Sequence, residues 1–214
     1  MLFIINYIKC SVWGIIYYFQ KEKSDIILEL IIKNIKDSGC IGIKLSQWML
    51  PRIEALYNIK YNKDSKRLSK LEELYDKCNE HPIKYTENIY HQSFGNQLIE
   101  DYNIVSLISS ASIGQVYKIQ CKNTKQYYAL KCIHPDIKIQ INFFDIIIKI
   151  LYNTPGLNAY VRYYVPLNLS NFIHDFKIQT NLINEANNCL KFYNIYKDND
   201  YIIIPKIEKV SKDI

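Results

Sequence analysis

Two stretches of strict alternation stand out along this chain. In Gln115–Cys121, Tyr117, Ile119 and Cys121 alternate with Lys118 and Gln120. In Gln126–Ile133, Tyr128, Leu130 and Cys132 fall on one side, and Ala129 and Lys131 on the other. Period-two alternation predicts two strands. The polar run Lys122-Asn123-Thr124-Lys125 between them predicts a turn. Ahead of the first strand, Ser109-Ser110-Ala111-Ser112-Ile113-Gly114 reads as a small-residue turn.

Elsewhere the pattern is helical. Ser24-Asp25 caps a helix through about Asp37, with Ile26, Ile27, Leu30, Ile31 and Asn34 on one stripe, and Gly39 ends it. A second helix covers about Ile41–Met49, with Pro51 interrupting it. The polar stretch Lys60–Lys70 reads as a linker, and helices follow at about 71–79 and 85–94. Pro135-Asp136 opens a helix through about Tyr152, with Pro in the tolerated first turn, and Thr154-Pro155-Gly156 closes it. A long helix is predicted over about 169–197, burying Leu182, Ala186, Cys189 and Tyr193. Tyr201–Pro205 reads as a strand.

The strands carry candidate chemistry. A tight loop followed by a strand lysine is how kinase-like lobes hold nucleotide phosphates. Small side chains let backbone N–H groups approach the phosphates closely. The usual loop reads G-x-G-x-x-G-x-V. Here Ser109, Ala111, Gly114 and Val116 occupy that frame, so only the third glycine is present. Spacing alone also admits a Ser-rich hairpin entry and an edge-strand lysine in water.

The run Ser110-Ala111-Ser112-Ile113-Gly114-Gln115-Val116-Tyr117, then Ala129-Leu130-Lys131 and His134-Pro135, resembles the UbiB/AarF-type (ABC-one) atypical kinases. That family replaces the glycine loop with an alanine-rich one. It carries a K-x-G-Q motif on an N-terminal helical extension. Lys44-Leu45-Ser46-Gln47 followed by Arg52 looks like that motif, with Ser46 in place of glycine. Lys44 and Gln47 are three apart and share a helix face. Both also fit the solvent face of an amphipathic helix. The resemblance makes theirs the face that packs over the nucleotide cleft. Leu74-Tyr75-Asp76-Lys77 and Phe94-Gly95 look like the family's connecting segment, and Glu185-Ala186, Asn188 and Phe192 resemble its N-E-A-x-N-x-x-x-F helix. Glu185 sits at the edge of an apolar stripe, where a lone acid needs a partner. The resemblance makes Lys131 that partner; an exposed helical Glu is the other reading.

The departures are equally specific. The family's acidic E-x-D pair falls on Gln179 and Asn181, and the first small residue of the loop is Ser109. Ile214 lies about where the last strand of the N-lobe and the hinge are expected to begin. The catalytic-loop Asp and Asn and a metal-binding D-F-G are absent from this sequence. The resemblance therefore implies weak or residual ATP binding through Lys131, Glu185, Ala129 and the loop Ser109, Ser110, Ala111, Ser112, Ile113, Gly114 and Val116. It implies no Mg²⁺ held by these residues alone.

Composition narrows the partners. An apolar fraction of 49% in 214 residues says folded rather than disordered. The net charge of +6 comes from scattered lysines with no run of five, and Arg occurs only at 52, 67 and 162. Nothing there points to nucleic acid, while attraction to an anionic membrane surface stays open. Six cysteines without a C-x-x-C pair read as reduced and mostly buried, in a reducing intracellular compartment. Cys132 and His134 read as a structural Cys and a turn His rather than a zinc site, so no metal ligand is assigned. Leu2–Phe19 is apolar but carries Asn6 and Lys9. A spanning helix needs ~20 apolar residues, so a helix lying on a membrane or packed on the protein is favoured over a spanning one.

The expected fold is α+β: an incomplete kinase-like N-lobe, with a small antiparallel sheet, under a helical extension. Its divisions are 1–23, an apolar segment; 24–103, the extension with the K-x-G-Q-like motif; and 104–214, the lobe, ending before the hinge. Two functions follow. One is an atypical kinase domain protein keeping the nucleotide-binding lobe, its C-lobe supplied by a second chain, a neighbouring reading frame or a longer gene product. The other is a non-catalytic, pseudokinase-like remnant that binds membrane, lipid or a partner protein. The resemblance implies relatives acting as kinases or ATPases in ubiquinone-type lipid metabolism.

Overall fold

The computed structural model describes residues 2–19, 24–61, 79–164 and 168–214. Helices come first: α1 (Leu2–Phe19), α2 (Ser24–Asp37), α3 (Cys40–Tyr61), α4 (Ile83–Phe94) and the short α5 (Leu98–Asp101). Strands β1 (Tyr102–Ser110), β2 (Gly114–Cys121) and β3 (Tyr127–Ile133) follow, then α6 (Ile137–Asn153), α7 (Leu157–Tyr164), α8 (Leu169–Gln179) and α9 (Leu182–Tyr196). The fold is α+β, with a small three-stranded sheet in the order β1–β2–β3. The chain forms two compact units, 1–80 with 110–113 and 136–172, and 81–109 with 114–135 and 173–214.

In the first unit α1 packs on α2. Asn6 Nδ2 donates to the Asp37 carbonyl at 2.7 Å, so the polar residue that interrupts the apolar run is buried and bonded. Tyr7 meets Phe144 of α6 edge to face, 4.8 Å between centroids. Ile27, Leu28, Ile32 and Asn34 are buried in α2, whereas Ile26, expected on the inner stripe, is 63% exposed. Gly39 has φ +88°, and a Cβ there would lie 2.5 Å from Gln140 Nε2. The backbone conformation selects glycine at that position, and a Cβ would also displace the Gln140 amide. Helix α3 passes through Pro51 instead of stopping before it. The ring removes one backbone donor but leaves the remaining helical bonds to carry the helix on. No helix among the described residues is long and apolar enough to cross a membrane.

The second unit is built on β2 and β3, antiparallel, with Val116 opposite Lys131 and Gly114 opposite Ile133. Tyr117 and Ile119 are buried and Lys118 exposed, as alternation requires. Tyr90, Leu98, Cys132 and Ile214 form a core, flanked by Tyr85, Phe94, Tyr102 and Leu130. Strand β1 has no alternation to read, because six of its nine residues are exposed.

Three expectations for this half of the chain are corrected. The predicted 169–197 helix is two helices, α8 and α9. Asn181 breaks it, its Oδ1 accepting from Ile183 N–H at 3.2 Å as the N-cap of α9. Tyr201–Pro205 is not a strand. Tyr201 and Ile203 are 95% and 92% exposed, and the segment finds no ladder partner among the described residues. Beyond it the irregular stretch 205–214 is tied down at its end: Asp213 O accepts from Ile133 N–H at 3.0 Å, and Lys212 O from Leu182 N–H at 3.1 Å. Helix α6 starts at Ile137, not in Pro135-Asp136, because Asp136 takes a left-handed conformation with φ 62°. The predicted helix at 71–79 and most of the linker lie outside the described residues. Of the described cysteines, Cys40 and Cys132 are buried, but Cys10, Cys121 and Cys189 are only half-buried, and all five are free thiols.

Candidate functional site

Strand β3 presents Lys131 on the side opposite Leu130 and Cys132, which face the core. Its Nζ donates to Glu185 of α9 at 2.6 Å to Oε2 and 2.8 Å to Oε1. Both carboxylate oxygens are engaged, so the ammonium is held at one place. The side chains are 37% and 55% exposed, so the pair is open to water and to a ligand. Glu185 reaches the lysine because Leu182 and Ala186 are buried on either side of it and fix the rotation of α9.

Strand β2 meets β3 closely at its first residue. A Cβ on Gly114 would lie 2.4 Å from the Cys132 carbonyl oxygen and 3.0 Å from Ile133 Cα. The glycine of the expected phosphate loop is therefore also demanded by strand packing. Val116 is half-buried and Ala129 exposed.

The expected loop is shorter than the small-residue run: Ser109 and Ser110 end β1 and Gly114 begins β2, leaving 111–113 between the strands. Ser109 and Ala111 are exposed, Ile113 is half-buried, and Ser110 and Ser112 are buried. Ser110 Oγ donates to the Asn79 carbonyl at 3.2 Å. Ser112 Oγ donates to Gln47 Oε1 of α3 at 3.4 Å. Gln47 of the K-x-x-Q pair thus touches the loop within the first unit. Lys44 and Gln47 are both half-buried, and Ser46, at the family's glycine position, donates to the Gly42 carbonyl at 2.8 Å. The side chain of Arg52 and Leu74-Tyr75-Asp76-Lys77 lie outside the described residues. Phe94-Gly95 ends α4, with Gly95 at φ 83° donating to the His91 carbonyl.

Two features escaped the sequence reading. The first is a cavity of about 420 Å³ lined by Tyr90, Tyr102, Tyr128, Leu130 and Lys209 among others. Ala129 borders it; Lys131 and Glu185 do not, so cavity and ion pair are separate. In its wall Tyr90 donates to Asp101 Oδ2 at 2.7 Å, which holds that carboxyl below its usual range, and Lys209 donates to Tyr90 at 3.1 Å. The second is a buried polar joint. His81 Nδ1 and His134 Nδ1 stand 2.9 Å apart, and His81 Nε2 is 2.9 Å from Thr86 Oγ1. Gln115 spans the His81 backbone, accepting from its N–H at 3.0 Å and donating to its carbonyl at 2.9 Å, and also donates to the Tyr117 hydroxyl. The sequence held one signal: Gln115 shares the inward register of Tyr117 and Ile119. Burial pushes the Cys132 thiol up to about 12, which suits a packing role. Among the described residues no group of three His, Cys, Asp or Glu is placed to hold a metal.

The ABC1 atypical kinase-like domain matches residues 73–213, spanning the strands, Lys131 and Glu185. The chain belongs to the ABC1 atypical kinase-like family. It is 25% identical over 192 residues to the probable serine/threonine-protein kinase abkC of Dictyostelium discoideum. That match covers 87% of this chain and 27% of the relative, so the chain spans about a quarter of that protein's length. No solved structure matches.

Proposed function

We propose that these 214 residues carry the nucleotide-facing lobe of a UbiB/AarF-type atypical kinase. Lys131 binds the phosphates of ATP and Glu185 orients it. Backbone N–H groups of the loop from Ser109 to Val116 supply further phosphate contacts, and Lys44 and Gln47 govern the loop. The observation that carries this reading is the two-oxygen grip of Glu185 on Lys131, the ion pair that kinases use to set their phosphate-binding lysine. The residues present do not fit a Mg²⁺ site: no D-F-G occurs, and Gln179 and Asn181 stand where the family has acids. Phosphoryl transfer on this reading draws its metal-holding and catalytic-loop residues from outside these 214.

The test is a titration of the chain with ATP, ADP and adenosine, followed by amide shifts of Ser110–Val116. On this reading phosphate contacts dominate, and the affinity of these residues is expected to be roughly millimolar, near −4 kcal/mol. Binding should weaken with salt and vanish in Lys131→Ala. Adenosine binding as well as ATP, or an unchanged Lys131→Ala, would reject the assignment. These 214 residues by themselves should turn over no ATP; turnover abolished by Lys131→Ala would overturn that expectation.

A non-catalytic scaffold reading has its own support. Asn181 is engaged in capping α9, and Gln179 is exposed. Such a protein would act through its helices on a membrane surface or a partner. Ile5, Ile8 and Val12 lie exposed along α1, a face suited to either.

A further inference from the structure

His81 lies just before α4 and His134 just after β3, 53 positions apart in the chain. Their rings meet at 88° with 5.0 Å between centroids, and both residues are only 6% exposed. Two Nδ1 atoms at 2.9 Å are bonded only if one carries hydrogen and the other a lone pair. The neutral pair satisfies this with one ring in each tautomer. A singly charged pair satisfies it as imidazolium donating to imidazole. A doubly charged pair cannot, because a proton then sits on each facing nitrogen.

The surroundings connect this bond to the sheet. From α4, Tyr85 packs edge to face on His81, and Thr86 bridges the His81 ring to the Cys132 thiol. From β2 come Gln115 and, behind it, Tyr117. From β3 comes Cys132, with the Asp213 carboxylate of the C-terminal stretch acting on it. The chain neighbours Glu80 and Lys84 are exposed.

We infer that the His81–His134 bond is a proton-sensitive clasp that joins the start of α4 to the end of β3 and opens when the pair becomes doubly charged. Opening it withdraws His81 from Gln115, the residue that follows Gly114. Acidification thereby loosens the strand end that leads out of the Ser109–Gly114 loop. Burial and the neighbouring His134 charge push His81 down to about 4, which sets where the second proton enters.

The experiment is a pH series on the whole chain, from 7.5 to 3.5, recording imidazole ¹H–¹⁵N and backbone amide spectra. At neutral pH one of the two rings should be the Nδ1–H tautomer. Near pH 4 His81 should protonate, and the amides of His81, Thr86 and Gln115 should move together with it. Both rings protonating independently near 6.5, or those amides staying still, would overturn the clasp. His134→Asn supplies the comparison. Its side-chain oxygen can accept from His81 in either charge state, so its folded-to-unfolded ratio, by urea, should fall at least tenfold less than that of the unmodified chain between pH 6.5 and 4. Equal losses in the two proteins would reject the idea. If the variant does not fold, the spectra of the unmodified chain decide.

Discussion

Strand β3 is gripped by two polar pairs of opposite character. Lys131–Glu185 ties it to α9 with full charges at 2.6 Å, more than a third exposed. His81–His134 ties its end to the start of α4 without needing any charge, nearly out of water. A solvated ion pair contributes little, ~0–1 kcal/mol, because water screens it and two long side chains are ordered to make it. A buried hydrogen-bonded joint contributes through what its loss would strand: each unsatisfied buried group costs ~1–3 kcal/mol. On the proposed function the first pair positions a cation for a ligand's phosphates. The second holds the scaffold. An exposed pair can be given up for function, whereas a buried one is felt by the whole unit.

The contrast is most sharply broken at Gln115. Gln115→Leu leaves the His81 N–H and carbonyl buried and unpaired, so a loss of about 2–4 kcal/mol is expected. Equilibrium urea unfolding measures it; a loss below about 1 kcal/mol would mean water enters the joint freely.

Next comes pH. A histidine held at about 4 when folded and 6.5 when unfolded binds fewer protons in the native state. Its contribution is therefore complete above about 6.5 and is lost as pH falls toward 4. The slope from this group is at most about 1.4 kcal/mol per pH unit. Urea midpoints at pH 7, 6, 5 and 4 should trace it. A flat profile would place His81 in water.

Lys131→Ala and Glu185→Gln should each change stability by less than about 1 kcal/mol, yet Lys131→Ala should abolish nucleotide binding. Glu185→Gln should weaken binding more gently, through a misplaced lysine. A large stability loss from either would turn the ion pair into a structural strut. Lys131→Arg should keep the fold and still lose affinity, since a planar fork does not replace a compact ammonium.

The smallest effect belongs to the loop anchor. Ser112→Ala removes a 3.4 Å bond to Gln47 and should cost only about 0.5 kcal/mol. Its signature is a changed exchange rate for the amides of residues 110–113.

Residues close in sequence carried much of this molecule. The period-two pattern placed β2 and β3 and put Lys131 on the face away from the core, because alternating side chains leave a strand on opposite sides. Of the predicted stripe only Leu182 and Ala186 are buried, with Cys189 and Tyr193 half-buried; with the family likeness, that stripe put Glu185 where a strand lysine could meet it. Tertiary structure decided the rest. Strand β1 had no pattern to show because most of its residues stay exposed. Asn181 broke a helix that periodicity alone would run through, because its side chain competes for the next turn's N–H. Tyr201–Pro205 has strand composition but no neighbour to pair with among the described residues, and strand residues without a ladder do not make a strand. His81 and His134 look ordinary one at a time. Only folding sets them 2.9 Å apart and removes the water that would otherwise let each take its proton alone.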